Sequence, residues 1–233
     1  MAVRIGDLTR ALETGSCQNV PMDPWQILEN ERRAFADLLD DLTVEQWETP
    51  SLCDGWTVAE VATHMMMGPT GSLWGFTTAM VEARGDFDRA NQVMVRRKTH
   101  RPRSQIVADF RSHAGSRFTP PTMDWHAPLT DVLVHRLDVT HPLGVGDDGG
   151  TQDAWPTALD MLVSEAATRG FVDRGLPGLT YVATDLDWRH GNGPEVTAPA
   201  EGLALAITRR PVRLEELAGP GSEQLRAWAT RAA

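Results

Sequence analysis

The segment TDVLVHRLDVTHPLG, residues 130–144, restricts what this chain can fold into more than any other. It reads as a helix that stops at Pro142 and Gly144. Asp131, His135 and Asp138 recur one turn apart and fall within a sector of roughly 60° on the helix surface. Val132 and Val139 border that sector on one side and Val134 on the other, so the polar stripe is not the wet face of an amphipathic helix. Inside a bundle these three groups face a cavity or a partner helix. An unpaired buried carboxylate costs several kcal/mol, so each must be paired, protonated or bound to a metal.

The rest of the chain supplies helices for such a bundle. Asp23 can cap a helix with Pro24 at its first position, and Trp25, Leu28, Phe35, Leu38 and Leu39 give that helix an apolar face. Thr43 to Trp47 is a short helical turn, and residues 49–55 form a loop rich in breakers. Thr57-Val-Ala-Glu60 is a capping box, flanked by Trp56 and Val61 at the positions of a hydrophobic staple. His64 falls at the edge of the apolar face of the helix that follows. Further helices are expected over about 72–84, 87–100, 103–117 and 153–168, with the helix of the opening segment beginning near Leu129. Residues 1–20 read as a polar leader and 145–151 as a Gly-rich loop.

After Gly170 the character changes. Residues 179–183, 187–190 and 195–197 suit short strands, the last two separated by the turn signal GNGP. Pro199 to Thr208 and Ser222 to Ala229 read as helices. The expected architecture is mainly α with a small α+β C-terminal domain, divided as a helical bundle over 20–169 and the α+β unit over 170–233.

Composition narrows the function. The 233 residues carry a net charge of -10, which argues against binding a phosphate backbone. The one basic run, RRKTHRPR at 96–103, is short and reads as a solvated helix end and loop. Cys17 and Cys53 make neither a disulfide framework nor a Cys-x-x-Cys metal motif. With no signal pattern and no apolar run near the ~20 residues that span a bilayer, a cytoplasmic location is expected, with no nucleic-acid or membrane partner.

Asp131 and His135, at i and i+4, can present an oxygen and a ring nitrogen to one divalent ion. His64 is the candidate third ligand, and Asp138 a carboxylate that fixes a ring tautomer. On spacing alone, a buried hydrogen-bonded Asp–His pair is the more ordinary arrangement. His141 suits the dipole at a helix C-terminus. Cys53 is either a thiolate near a helix start or a small packed side chain. Met65, Met66 and Met67 read as core packing.

The stretch TPSLCDGWTVAEVATH at 49–64, the segment at 131–144 and the blocks LTYVATDLDW at 179–188, GPEV at 193–196 and PAEGLALA at 199–206 together resemble the mycothiol-dependent maleylpyruvate isomerase family, within the wider DinB-like metal-binding helical bundles. The resemblance implies a four-helix bundle holding a divalent ion, usually zinc, through His64, Asp131 and His135. The family's usual acid is Glu, one methylene longer than Asp131. It further implies an S-transferase or isomerase that activates a low-molecular-weight thiol, mycothiol, against a small-molecule electrophile. Asp187, Trp188 and Arg189, at a strand end before a Gly-rich turn, are the candidate substrate-binding residues; the plainer alternative makes Trp188 a core residue and Arg189 a surface cation. Metal-dependent hydrolysis and a non-catalytic, metal-stabilised binding protein are the rival readings; a fourth ligand from His141 or Cys53 would favour the latter.

Overall fold

The computed structural model describes residues 23–70, 73–120, 122–146 and 152–231. The expected leader and most of the loop at 145–151 lie outside them, as does Cys17. In chain order the helices are α1 (Pro24–Asp40), α2 (Val44–Trp47), α3 (Val58–Met65), α4 (Met67–Thr70), α5 (Leu73–Glu82), α6 (Phe87–Lys98), α7 (Arg103–His113), α8 (His126–Leu143), α9 (Trp155–Leu162), α10 (Ala200–Ile207) and α11 (Ser222–Ala229). The strands are β1 (Thr180–Ala183), β2 (Arg189–His190) and β3 (Glu195–Ala198).

The bundle consists of α1, α3, α7 and α8: α1 packs on α7 and α8, and α3 on α8 and α7. α5 and α6 form a hairpin that joins the bundle through α3. The strands form one sheet in the order β2-β1-β3, with β1 antiparallel to β2 and parallel to β3. α10 lies between this sheet and the bundle, touching α8 and α9 on one side and β1 and β3 on the other. One apolar cluster runs from Leu28 and Phe35 through Val61, Leu133 and Leu159 to Leu203 and Trp228, so the C-terminal segment shares the bundle's core. Met65, Met66 and Met67 are all buried. No helix among the described residues is long and apolar enough to cross a membrane.

Several helix ends differ from the expectation, each for a local reason. α8 starts at His126, earlier than Leu129, because Asp124 accepts from the backbone N–H of His126 and Pro128 sits in the first turn. The missing N–H of a proline costs nothing there. α7 ends at His113, and the carbonyls of Ala114 and Ser116 beyond it accept from Nη1 of the buried Arg32 at 3.1 and 2.6 Å. The helix expected over 153–168 breaks after Leu162. Ser164 turns extended, its hydroxyl donates to the carbonyl of Met161, and residues 165–169 continue as a 3-10 turn.

A buried ion pair ties α1 to α8. Nη1 of Arg136 donates to Glu31 at 3.1 Å, with side chains 2% and 1% exposed. Removing one partner of such a pair strands a charge in the core, whereas replacing both with apolar groups does not. Arg136→Met alone is therefore expected to lower the unfolding free energy by about 3–5 kcal/mol. The double variant Glu31→Leu/Arg136→Met should recover most of that loss in urea unfolding.

Candidate metal centre

Two helices deliver the three candidate ligands. The reciprocal capping box between Thr57 and Glu60 fixes the start of α3, and His64 lies in its last turn. The ring of Trp56 packs against His64 with centroids 5.1 Å apart. α8 carries Asp131 and His135 on one face, and the rings of His64 and His135 meet edge to face at 5.0 Å. Oδ1 of Asp131 lies 3.4 Å from Nε2 of His135 and 4.0 Å from Nε2 of His64. The ligand atoms of His64, Asp131 and His135 all lie within 4.8 Å of one another.

The other nitrogen of His135 faces Asp138. Nδ1 is 2.8 Å from Oδ2 of Asp138, a carboxylate that is fully buried. Two backbone devices bring further donors to this oxygen. The first begins at Pro142, which has no N–H to give to the carbonyl four residues earlier, that of Asp138. The N–H of Leu52 takes that carbonyl instead, at 3.1 Å. This docks the 49–57 loop on α8, and Gly55, with φ +73°, lets the loop turn back into α3. Cys53 thereby comes against α8, and its Sγ donates to Oδ2 of Asp138 at 3.0 Å.

The second device ends α10. The N–H of Arg210 bonds to the carbonyl of Leu205 and that of Arg209 to Ala206, a Schellman turn. Its left-handed position, usually glycine, is occupied by Arg209 at φ +61°. The chain then leaves at Pro211 with Arg210 aimed at α8. Nε and Nη2 of Arg210 donate to Oδ1 and Oδ2 of Asp138 at 2.8 and 2.7 Å, and Nη2 also reaches Sγ of Cys53 at 3.4 Å. Asp138 is thus held by a two-point guanidinium contact, a thiol and an imidazole.

These contacts govern the charges. Burial would raise the Asp138 carboxyl, but Arg210, with help from His135, holds it well below the usual carboxylate range. Burial, reinforced by the nearby His135, lowers the His64 imidazole to about 4. Burial also disfavours a charged His135, but Asp131 outweighs it and the ring is raised well above its ordinary value. Asp131 is lowered, its burial outweighed chiefly by His135 and further by His64 and Arg32.

The donor set suits a divalent ion. Two imidazoles and one carboxylate match the three protein ligands of catalytic zinc sites. Ligand atoms around tetrahedral zinc stand about 3.3 Å apart, close to the 3.4 Å separation of Asp131 and His135 and somewhat short of the 4.0 Å to His64. The Asp131 side chain is 32% exposed, so solutes can reach the cluster from its side. Cys53 belongs with His135 and Asp138 in a separate group, on the Nδ1 side of the ring. His141 lies at the far end of α8, lining a small cavity with Glu201 and Arg213.

The structure distributes the remaining sequence candidates elsewhere. Trp188 is buried and its Nε1 donates to Asp160 of α9 at 2.8 Å; Arg189 pairs with Glu195 at the surface, and Asp187 is exposed. The C-terminal residue bonded to the cluster is Arg210, which the sequence reading passed over together with the Cys53 contact. The local signal was Pro142, four residues after Asp138, which announces a helix carbonyl in need of an outside donor.

The opposed shifts of the two imidazoles have a measurable sign. In cation-free protein His64 stays neutral where an unfolded chain's imidazole is protonated, so its contribution to stability falls as pH drops from about 6.5 to about 4. His135 acts oppositely, its contribution lost as pH rises through its raised value. Imidazole NMR titration should show His64 neutral and His135 protonated at pH 6. Because a coordinating imidazole must be neutral, divalent-ion binding at pH 7 should release a proton from His135, read as a buffer-dependent calorimetric heat.

Residues 28–119 match the family model described as the mycothiol maleylpyruvate isomerase N-terminal domain. No curated protein matches the chain. Among solved structures, a histidine-to-alanine mutant of the mycothiol-dependent maleylpyruvate isomerase aligns with a TM-score of 0.57 at 12% identity, covering 85% of this chain and 92% of its own. A second structure of the mycothiol-dependent maleylpyruvate isomerase aligns at 0.48 and 14% identity, covering 80% and 88%. The first shares the fold over a larger part of the chain than the family model matches. Residues 28–119 thus match the N-terminal domain of the mycothiol-dependent maleylpyruvate isomerases, and the chain shares its fold with the first of these structures.

Proposed function

We propose that the protein is a divalent-metal-dependent enzyme that activates a low-molecular-weight thiol, mycothiol, for attack on an electrophilic small molecule, as an isomerase or an S-transferase. The convergence of His64, Asp131 and His135 carries this reading, and the family supplies the thiol. A divalent ion held there, zinc by the donor set, would supply Lewis acidity that lowers the pKa of a bound thiol. In this reading the bundle of residues 20–169 carries the ligands and residues 170–233 contribute Arg210.

The chain's own residues do the positioning. Asp131 and His135 share a rigid helix, so their separation is fixed by one helical turn. His64 arrives from α3, and Trp56 packs against its ring. Asp138 occupies Nδ1 of His135, which leaves Nε2 to face Asp131 and His64. Cys53 stands on the Nδ1 side, which supports a site with three protein ligands over one closed by a fourth. Addition of a thiolate to a conjugated alkene, rotation about the new single bond and expulsion of the thiolate isomerise the alkene. Addition without expulsion leaves a thiol conjugate.

The test combines metal analysis of untagged protein with a screen of electrophiles against mycothiol, other thiols and water. The expected result is about one equivalent of divalent metal, with turnover that requires a thiol. His64→Ala and Asp131→Asn should lose both the metal and at least ~100-fold in activity while keeping their helicity. Turnover in water without any thiol would point to hydrolysis. A His64→Ala variant with full metal content and activity would sink the reading.

A further inference from the structure

Two side chains outside the candidate ligand set share a carboxylate with it. Asp138 Oδ2 meets Nδ1 of His135, Sγ of Cys53 and Nη2 of Arg210, at 2.8, 3.0 and 2.7 Å. We propose that Cys53 and Arg210 are positioning residues for His135: by pinning Asp138 they fix the tautomer and tilt of the ring, and so set how tightly the site holds a divalent cation. This rests on the reading of His64, Asp131 and His135 as cation ligands.

A neutral imidazole has one donor and one acceptor nitrogen. When Nδ1 donates to Asp138, the lone pair sits on Nε2, the nitrogen that faces Asp131 and His64. A lone carboxylate could swing away from the ring. Arg210 prevents this, because its two parallel contacts fix the plane of the carboxylate. Cys53 adds a third donor beside the ring, with Sγ 3.7 Å from Nδ1.

Cys53, His135 and Asp138 by themselves look like a second set of metal ligands. The guanidinium of Arg210, in contact with both Cys53 and Asp138, puts a fixed positive charge there. The group is therefore built to brace the imidazole. His64 has no such brace: its Nδ1 is buried without a hydrogen-bond partner. The fixed geometry of the site falls on His135.

Two unrelated backbone features serve the same carboxylate. Pro142 removes the helix donor for the Asp138 carbonyl, which admits Leu52 and with it Cys53. Arg209 adopts the left-handed conformation that turns Arg210 toward α8, at a steric cost that glycine would not incur.

The experiment measures zinc affinity of the full chain by competition with a chromophoric chelator, together with the visible spectrum of the cobalt-loaded protein and, at a pH high enough for the metal-free ring to be neutral, the ring 15N shifts of His135. Arg210→Gln should weaken zinc binding by about 10- to 100-fold, the usual effect of losing an outer partner, change the cobalt spectrum and mix the His135 tautomers. Cys53→Ala should weaken it by about 2- to 10-fold, the worth of one hydrogen bond, and Cys53→Ser, whose hydroxyl can donate to Asp138, should restore it. Unchanged affinity and an unchanged tautomer in both Arg210→Gln and Cys53→Ala, while His64→Ala abolishes binding, would overturn this proposal and leave the ligand assignment standing. Normal zinc binding by His64→Ala would overturn both. If Arg210→Gln does not fold, the Cys53 pair decides: weakening by Ala with recovery by Ser supports the proposal, and equal affinity in the Ala variant overturns it.

Discussion

The buried carboxylate of Asp138 is the constraint around which the candidate metal centre is arranged. A carboxylate withdrawn fully from water needs compensation from charge and hydrogen bonds. Here the compensation comes from three separate parts of the chain: His135 on the same helix, Cys53 in the 49–57 loop and Arg210 after α10. Satisfying one side chain therefore forces a helix, a loop and the C-terminal segment to meet at one point. The same meeting seals one side of the imidazole that faces the candidate cation seat.

The continuity of the apolar core gives this arrangement its rigidity. α10 lies between the sheet and α8, with Leu203, Leu205 and Ile207 fully buried. The turn that delivers Arg210 is thus anchored on both sides. Arg32 does a comparable task on α1, closing the end of α7 through two carbonyls while its charge helps keep Asp131 ionised. The edge-to-face approach of the two imidazoles at 5.0 Å keeps the cluster compact around the short Asp131 side chain.

Much of this was legible in the sequence because the signals were local. The capping box of Thr57 and Glu60, the cap at Asp23 and the strands at 179–183 and 195–197 are each decided within a few residues, and each stands in the structure. The clustering of Asp131, His135 and Asp138 follows from helical periodicity alone. Arg210 and the role of the Cys53 loop were not legible, because their contacts with Asp138 join residues 72 and 85 positions apart. The early end of α7 was hidden for the same reason, since its partner Arg32 lies on α1. Trp188 shows the reverse case: a strand end before a turn announces exposure, yet its ring packs inward on Asp160, while Arg189 does stay at the surface, paired with Glu195.

The proline near the end of α8 gives the molecule an unusual kind of fragility. Most damaging substitutions remove an interaction, but at Pro142 almost any other amino acid would supply one, an amide able to complete the helix by claiming the Asp138 carbonyl from Leu52. The helix would become more regular while the loop bearing Cys53 lost its tether. Local perfection and the integrity of the centre are opposed at this residue, so a change that improves helix propensity there is one to suspect of loosening the cluster.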